Sequence, residues 1–255
     1  MTSSPSLEAV TFDFWGTLFE WNGWAADVRR QSVRDFVSRH RADLSASVVD
    51  AAFAAGVSAQ DRAWRQSNHF GPAAIIEHFL AELRLETPVE ARAALQRLIE
   101  DPVPERVLTP IAGVEDAIQR LRERGLRLGI VCDSGMMVGR VLRGQLERSG
   151  LARHFEAGAL AFSDEVGVTK PRPEIFRRAL GALGVEPRQA AHIGDLRFTD
   201  MAGAQALGMR SVRFRGFNDD TGDGPEGDAT IDSYEELGAA LGLPAQHRVS
   251  PETCK

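Results

Sequence analysis

Lysine is nearly missing from this 255-residue chain: Lys170 and Lys255 are the only two, and almost every cation is arginine. A merely exposed position would therefore carry arginine, so Lys170 calls for a reason that arginine does not meet. Cysteine is scarce too. Cys132 sits inside an apolar run and Cys254 in the C-terminal tail, a poor basis for a disulfide framework, which fits a reducing compartment. No apolar run approaches the ~20 residues of a membrane-spanning helix, and Met1 to Ser6 lack the basic start and apolar stretch of a secretory signal. A cytoplasmic location, with no membrane partner, is the default expectation. The formal charge of -6 and the absence of a basic run disfavour nucleic acid, leaving small-molecule chemistry as the better reading. There is no internal repeat.

What is present alternates. Residues 9–12, 126–131, 190–193 and 211–214 are short runs of apolar and β-branched residues, which read as buried strands. Helical patterns over 113–124, 136–149, 173–183 and 199–207 separate them. Each ends at a glycine followed by an apolar residue (Gly125-Leu126, Gly150-Leu151, Gly184-Val185, Gly208-Met209), the pairing of a left-handed helix cap. The expected fold class is α/β, a Rossmann-like parallel sheet with helices on both faces. Residues 21–103 differ, with helical spacing near 24–39, 47–67, 72–83 and 88–99 and almost no strand signal, ending at Asp101-Pro102-Val103-Pro104. The expected organisation is a core of 1–20 and 104–255 interrupted by an all-helical module at 21–103. Residues 216–229, rich in Gly, Asp and Asn, read as a mobile loop, 234–241 as a last helix and the final ten residues as a frayed tail.

Ligands bind an open parallel sheet at the carboxyl ends of its strands. Asp13, the turn Cys132-Asp133-Ser134 and Asp195 all fall just past an expected strand end, and Lys170 lies in a loop opening the helix at Pro173. Four sequence-distant polar elements would meet in one crevice. In this order, Asp13-Phe14-Trp15-Gly16-Thr17, the thiol or hydroxyl turn at Cys132, Lys170-Pro171 through Phe176, and Gly194-Asp195 with Asp200 resemble the four motifs of the haloacid dehalogenase superfamily. The resemblance covers the whole chain and makes 21–103 the helical cap.

It implies that Asp13 is a nucleophile forming a covalent intermediate. It implies Mg2+ held by Asp13, Asp195 and the Trp15 main-chain carbonyl, with Lys170 and Asp200 as further catalytic groups. Gly16, Thr17, Cys132, Asp133 and Ser134 are then expected against the substrate. Lys170 suits this site because a compact ammonium can neutralise clustered carboxylates where a planar guanidinium fits differently. Asp200 can also be a first-turn carboxylate. Cys132 departs from the family's Ser or Thr and is a weak donor, so Ser134 and the turn's N–H groups are expected to bind the oxyanion. Asp133 is either a helix cap or a displaced acid–base group.

Trp15 stands where phosphatases of this superfamily carry a second Asp, which protonates the leaving group and activates water. Its loss forfeits about 10²–10⁴-fold in rate unless the leaving group is good. Dehalogenases of the superfamily carry an aromatic residue there and expel chloride unprotonated, but work without metal. The expected reaction is Mg2+-dependent phosphoryl hydrolysis of a small phosphorylated metabolite with a good leaving group. Dehalogenation through an aspartyl ester and an inactive binding protein are the alternatives, and a monomer or homodimer is expected. Trp21, Trp24, Trp64, Arg65, Asn68 and His69 are candidates to face the crevice or to pack. His40 and His69 lack metal-ligand spacing, and His192 is placed to brace the Gly194-Asp195 loop.

Overall fold

The apolar runs form strands that are buried on both faces, which is what covering helices require. The computed structural model describes residues 6–21 and 23–244. The expected tail, with Cys254 and Lys255, lies outside them. Strand β1 (Ala9–Phe12) is followed by helices α1 (Trp24–His40), α2 (Ala46–Arg65), α3 (Pro72–Glu82) and α4 (Val89–Glu100), then α5 (Val114–Glu123) and β2 (Arg127–Cys132). After α6 (Gly139–Arg148) come β3 (Leu160–Phe162), α7 (Ser163–Val166), α8 (Pro173–Leu183), β4 (Ala190–Gly194), α9 (Ala202–Leu207), β5 (Arg210–Phe214), β6 (Ala229–Ile231) and α10 (Leu237–Ala240). All strands are parallel, in the order β3-β2-β1-β4-β5-β6.

The two-residue period of a strand sorts the core into layers. Val10, Phe12, Leu128 and Ile130 pack with α5 and α6, while Ala9 and Val131 pack with α8 and α9. A third apolar cluster, with Val33 and Phe36 from α1, Phe53 from α2, Phe79 from α3 and Ile99 from α4, has all its buried members in the helical segment, and Met136 packs against it from outside. Among the described residues no helix is long and apolar enough to cross a membrane.

All four glycine stops occur: Gly125, Gly150, Gly184 and Gly208 have φ of +78°, +77°, +65° and +77°. The expectations fail where signals are short. Strands β3 and β6 span three residues each, too few to carry a period, and the last helix shrinks to α10. Residues 136–138 stay outside α6. The loop expected to be mobile is tied down instead. The guanidinium of Arg213 takes Asp219 at 2.5 Å and both oxygens of Glu226 at 2.9 Å. Arg197 holds the carbonyls of Gly222 and Gly224 at 3.0 and 2.7 Å.

Candidate active site

The strand order reverses between β1 and β4, and such a switch point opens a crevice at the carboxyl ends of the two strands. Asp13 follows β1 and Asp195 follows β4, and the Asp13 N–H bonds to the Ile193 carbonyl at 2.8 Å, tying the two strand ends together. Gly16 has φ +68°, and a Cβ there would lie 2.7 Å from Asp195 Oδ2, so the turn after Asp13 needs glycine for both conformation and space. A Cβ on Gly194 would collide with the Asp200 carboxyl.

Lys170 joins the carboxylates. Its Nζ lies 2.7 Å from Asp13 Oδ1 and 2.6 Å from Asp200 Oδ1, with all three side chains buried. His192 Nε2 lies 2.9 Å from Asp200 Oδ1, and His192 Nδ1 2.9 Å from the Thr11 hydroxyl. Burial lowers the His192 pKa despite the Asp200 hydrogen bond, which keeps the ring neutral. With its proton on Nε2, it donates to Asp200 and accepts from Thr11. Asp200 Oδ2 also accepts the Leu196 N–H at 3.1 Å, closing the π-helical turn Arg197–Met201 that precedes α9. Asp200 thus joins the charged network and braces its turn. His192 supports Asp200, from inside β4.

Carboxylates outnumber cations here, and their ionisation differs accordingly. Burial opposes the charge on Asp200, but Lys170 and His192 outweigh it and hold its pKa at about 2. Burial would discharge Lys170, yet Asp13 and Asp200 push its pKa well up, so it remains an ammonium. Burial raises the Asp13 pKa against the pull of Lys170. Burial and then Asp200 raise that of Asp195 to about 7. Asp13, Asp195 and Asp200 each offer an oxygen within 4.8 Å of the others, and Asp195 Oδ1 is buried without a hydrogen-bond partner among the described residues. An oxygen-only set with surplus negative charge and an unanswered oxygen fits a hard divalent cation such as Mg2+.

The groups expected against the substrate divide. A cavity of about 230 Å3 is lined by Asp13, Trp15, Asp133, Lys170, Asp195 and Asn218, together with Trp21 and Trp64. Gly16 and Thr17 lie behind this wall. Thr17 is fully buried, and its carbonyl accepts the Tyr234 hydroxyl at 2.6 Å. Cys132 is fully buried in the core, where burial holds its thiol protonated. Ser134 is turned inward: its hydroxyl lies 3.0 Å from the Ser163 hydroxyl, and its N–H bonds to the same oxygen at 3.1 Å. Of the groups expected to bind the oxyanion, the Ser134 hydroxyl and N–H are therefore engaged by Ser163. Asp133 is not a helix cap, because Asp164 accepts the Gly139 N–H at the start of α6. Asp133 instead accepts the Lys170 N–H at 2.9 Å and Trp64 Nε1 at 2.8 Å, linking the β2 turn to the Lys170 loop and to α2.

Of the helical-segment candidates, Trp64, Asn68 and His69 line an adjoining cavity of about 340 Å3 with Asp133. Trp21 and Trp24 line another of about 290 Å3 with Trp15 and Asp133. Arg65 is exposed and pairs with Asp61 at 3.1 Å. His40 stacks on Phe36. Sequence reasoning missed Asn218, whose Nδ2 donates to Asp195 Oδ2 at 2.8 Å. Its loop, rich in Gly and Asp, reads as mobile and hid it, and the arginine anchors at 197 and 213 were the available signal.

A family model described as haloacid dehalogenase-like hydrolase matches residues 7–208. The chain is 28% identical over 223 residues to a glyceraldehyde 3-phosphate phosphatase of Methanopyrus kandleri, covering 82% of this chain and 84% of the relative. It is 33% identical over 196 residues to a phosphoserine phosphatase of Thermus thermophilus, covering 72% and 77%. The solved structure of a HAD phosphatase from Thermococcus onnurineus aligns with a TM-score of 0.67 at 27% identity, over 92% of this chain and 98% of that one. A 2-haloacid dehalogenase from Pseudomonas syringae shares the fold, with a TM-score of 0.63 at 20% identity and coverage of 92% and 98%.

Proposed function

The chain belongs to the haloacid dehalogenase-like hydrolase family, and from that premise we propose that it is a Mg2+-dependent phosphatase acting through an aspartyl-phosphate on Asp13. The observation that carries this reading is Lys170 bridging Asp13 and Asp200 beside an Asp195 oxygen that has no partner. Displacement of chloride from a 2-halo acid involves no phosphoryl dianion, so it has no need of a divalent cation at that unanswered oxygen. The phosphatase relatives point the same way.

Asp13 attacks phosphorus as its P–O ester bond breaks, and water then cleaves the aspartyl-phosphate to regenerate the carboxylate and release phosphate. Lys170 holds the Asp13 carboxylate in place and offsets charge on the phosphoryl group. Asp200, fixed by His192, keeps Lys170 charged and aimed. Asp13, Asp195 and the Trp15 main-chain carbonyl would hold Mg2+, which when bound supplies positive charge against the phosphoryl oxygens. Asn218 orients Asp195. Residues 21–103 act as the cap, closing the crevice with Trp21 and Trp64.

Trp15 has no proton to give, so the reading favours a small phosphorylated metabolite whose leaving group departs readily. Asp133 accepts hydrogen bonds at both oxygens, which assigns it to holding the wall. Trp15 also supports a second reading, dehalogenation of a 2-halo acid, because chloride leaves unprotonated. The two separate in one experiment. Mg2+-dependent hydrolysis of p-nitrophenyl phosphate or acetyl phosphate, reduced to background in Asp13→Asn, is expected. Chloride release from 2-chloropropionate in the presence of a chelator, with no phosphate release from either phosphoryl compound, would overturn it.

A further inference from the structure

The 290 Å3 cavity beside Trp15 contains a charge that the mechanism above does not use. Arg29, on α1, lines it although only 7% of the residue is exposed. Its Nε donates to the Ile99 carbonyl at 2.7 Å, near the end of α4, and this fixes the guanidinium plane. Its Nη2 is buried and has no hydrogen-bond partner among the described residues. Other buried charges are answered: Lys170 by Asp13 and Asp200, Glu100 by Arg140, Arg213 by Asp219 and Glu226. No described carboxylate lies within ion-pair distance of Arg29. Asp133 and Glu20 share its cavity wall, but Asp133 is committed to Trp64 and the Lys170 N–H. A buried donor without a partner costs about 1–3 kcal/mol, more when charged, and a cation in an apolar wall of Trp24, Leu108, Met136 and Met137 is poorly solvated. Burial accordingly draws its pKa down to about 10, with the charge of Asp101 acting the other way.

The position of this cation gives it a use. Trp15, Trp21 and Asp133 line both this cavity and the one holding Asp13 and Lys170, so the two spaces share a wall. A molecule with its phosphoryl group at Asp13 extends past Trp15 toward Arg29. We propose that Arg29 is a specificity residue that recognises a carboxylate on the leaving-group side of the substrate, making the substrate class small phosphorylated carboxylic acids. One guanidinium already fixed at Nε presents its remaining N–H groups as a fork, which matches the two oxygens of a carboxylate. A second phosphoryl group would bring more charge than a single cation beside Glu20 balances. The proposal rests on the phosphatase reading of the site.

The test compares succinyl phosphate with butyryl phosphate, acyl phosphates whose leaving groups depart without a proton and which differ in carboxylate against methyl, in wild type, Arg29→Met and Arg29→Lys. The wild-type kcat/KM for the carboxylate is expected to exceed that for the methyl compound by about tenfold or more, the scale of one charge-assisted hydrogen bond. Arg29→Met should bring the ratio to near one, mainly by raising KM for succinyl phosphate. Arg29→Lys, which keeps the charge should the methionine variant fail to fold, should retain part of the preference. Arg65→Met, at an exposed position outside the cavities, should leave the ratio as it is. Equal use of both substrates by wild type, or a ratio that survives Arg29→Met in folded protein, would overturn the proposal. If wild type hydrolyses no phosphate ester, p-nitrophenyl phosphate included, the phosphatase reading fails separately. Calorimetric titration with succinate then decides Arg29: binding lost in Arg29→Met supports it, and no binding to wild type sinks it.

Discussion

The two walls of the crevice are built on opposite terms. On the sheet side, Asp13, Lys170, Asp200, His192 and Thr11 form a continuous relay of contacts between 2.6 and 2.9 Å, buried throughout. On the helical side stand Trp64, Asn68, His69 and Arg29, spread over separate cavities, with Trp64 reaching a carboxylate of the sheet half. The first wall leaves little freedom to any of its groups, which is what a fixed chemical step requires, because preorganised charge need not reorganise during reaction. The second has its own apolar core, against which Met136 of the sheet half packs. On the proposed phosphatase reading, chemistry belongs to the strand ends and choice of substrate to the helices.

The sharpest way to break that division is Lys170→Met. It removes the only ammonium from a buried cluster and leaves Asp13 and Asp200 facing each other uncompensated. Activity should fall by about 10³-fold or more on every substrate alike, and stability by about 3–5 kcal/mol, read from kcat and from urea unfolding. A loss confined to some substrates would mean that Lys170 serves recognition and that the two walls are not separate in role.

A smaller effect tests whether the surplus charge is real. Asp195 has its pKa raised from 3.8 to about 7 in the folded protein without metal. The folded state therefore keeps a proton that the unfolded chain has already released. Its contribution to stability is complete below pH 3.8 and is lost as pH rises through about 7. The depressed pKa of Asp200 acts only near pH 2 to 4 and the lowered histidine His192 below its ordinary 6.5, whereas Asp13 and Asp133, both raised by burial, act in the same direction as Asp195. Between pH 6.5 and 8 the metal-free protein should lose about 1 kcal/mol from Asp195 alone. Saturating Mg2+ should abolish the loss. Unfolding midpoints that are flat with pH, or that fall equally with Mg2+, would show that no cation is wanted there.

The sheet wall was also the legible one. Asp13, Asp195 and the Cys132 turn announce themselves because each is a polar break directly after an apolar run, and Lys170 because arginine is the chain's habit. Roles within the turn were less legible. Ser134 looks like a free donor in sequence, but Ser163, 29 residues later, takes both its hydroxyl and its N–H. Asn218 was lost because a Gly- and Asp-rich segment resembles a mobile loop until Arg213 and Arg197 are seen to grip it. On the helical wall almost nothing was legible beyond the helices themselves. Arg29 is one arginine among many on an amphipathic pattern, and its lack of a partner exists only in three dimensions. The pairing of Trp64 with Asp133 spans 69 residues and follows no local rule.

That pairing supplies the mildest test. Trp64→Phe removes the Nε1 donor 2.8 Å from Asp133 Oδ2 while keeping an aromatic ring beside Phe198. Asp133 retains its bond from the Lys170 N–H, so the sheet wall should hold its geometry. The expected result is a change in KM of about threefold, the scale of a single partly solvated hydrogen bond, with kcat within about twofold. The change should differ between a substrate with a long leaving group, which extends past Trp64, and acetyl phosphate, which does not. A uniform drop in kcat across both would mean that the helical wall holds the reacting groups in place as well as the substrate, because Asp133 would then be transmitting the loss of Trp64 to Lys170.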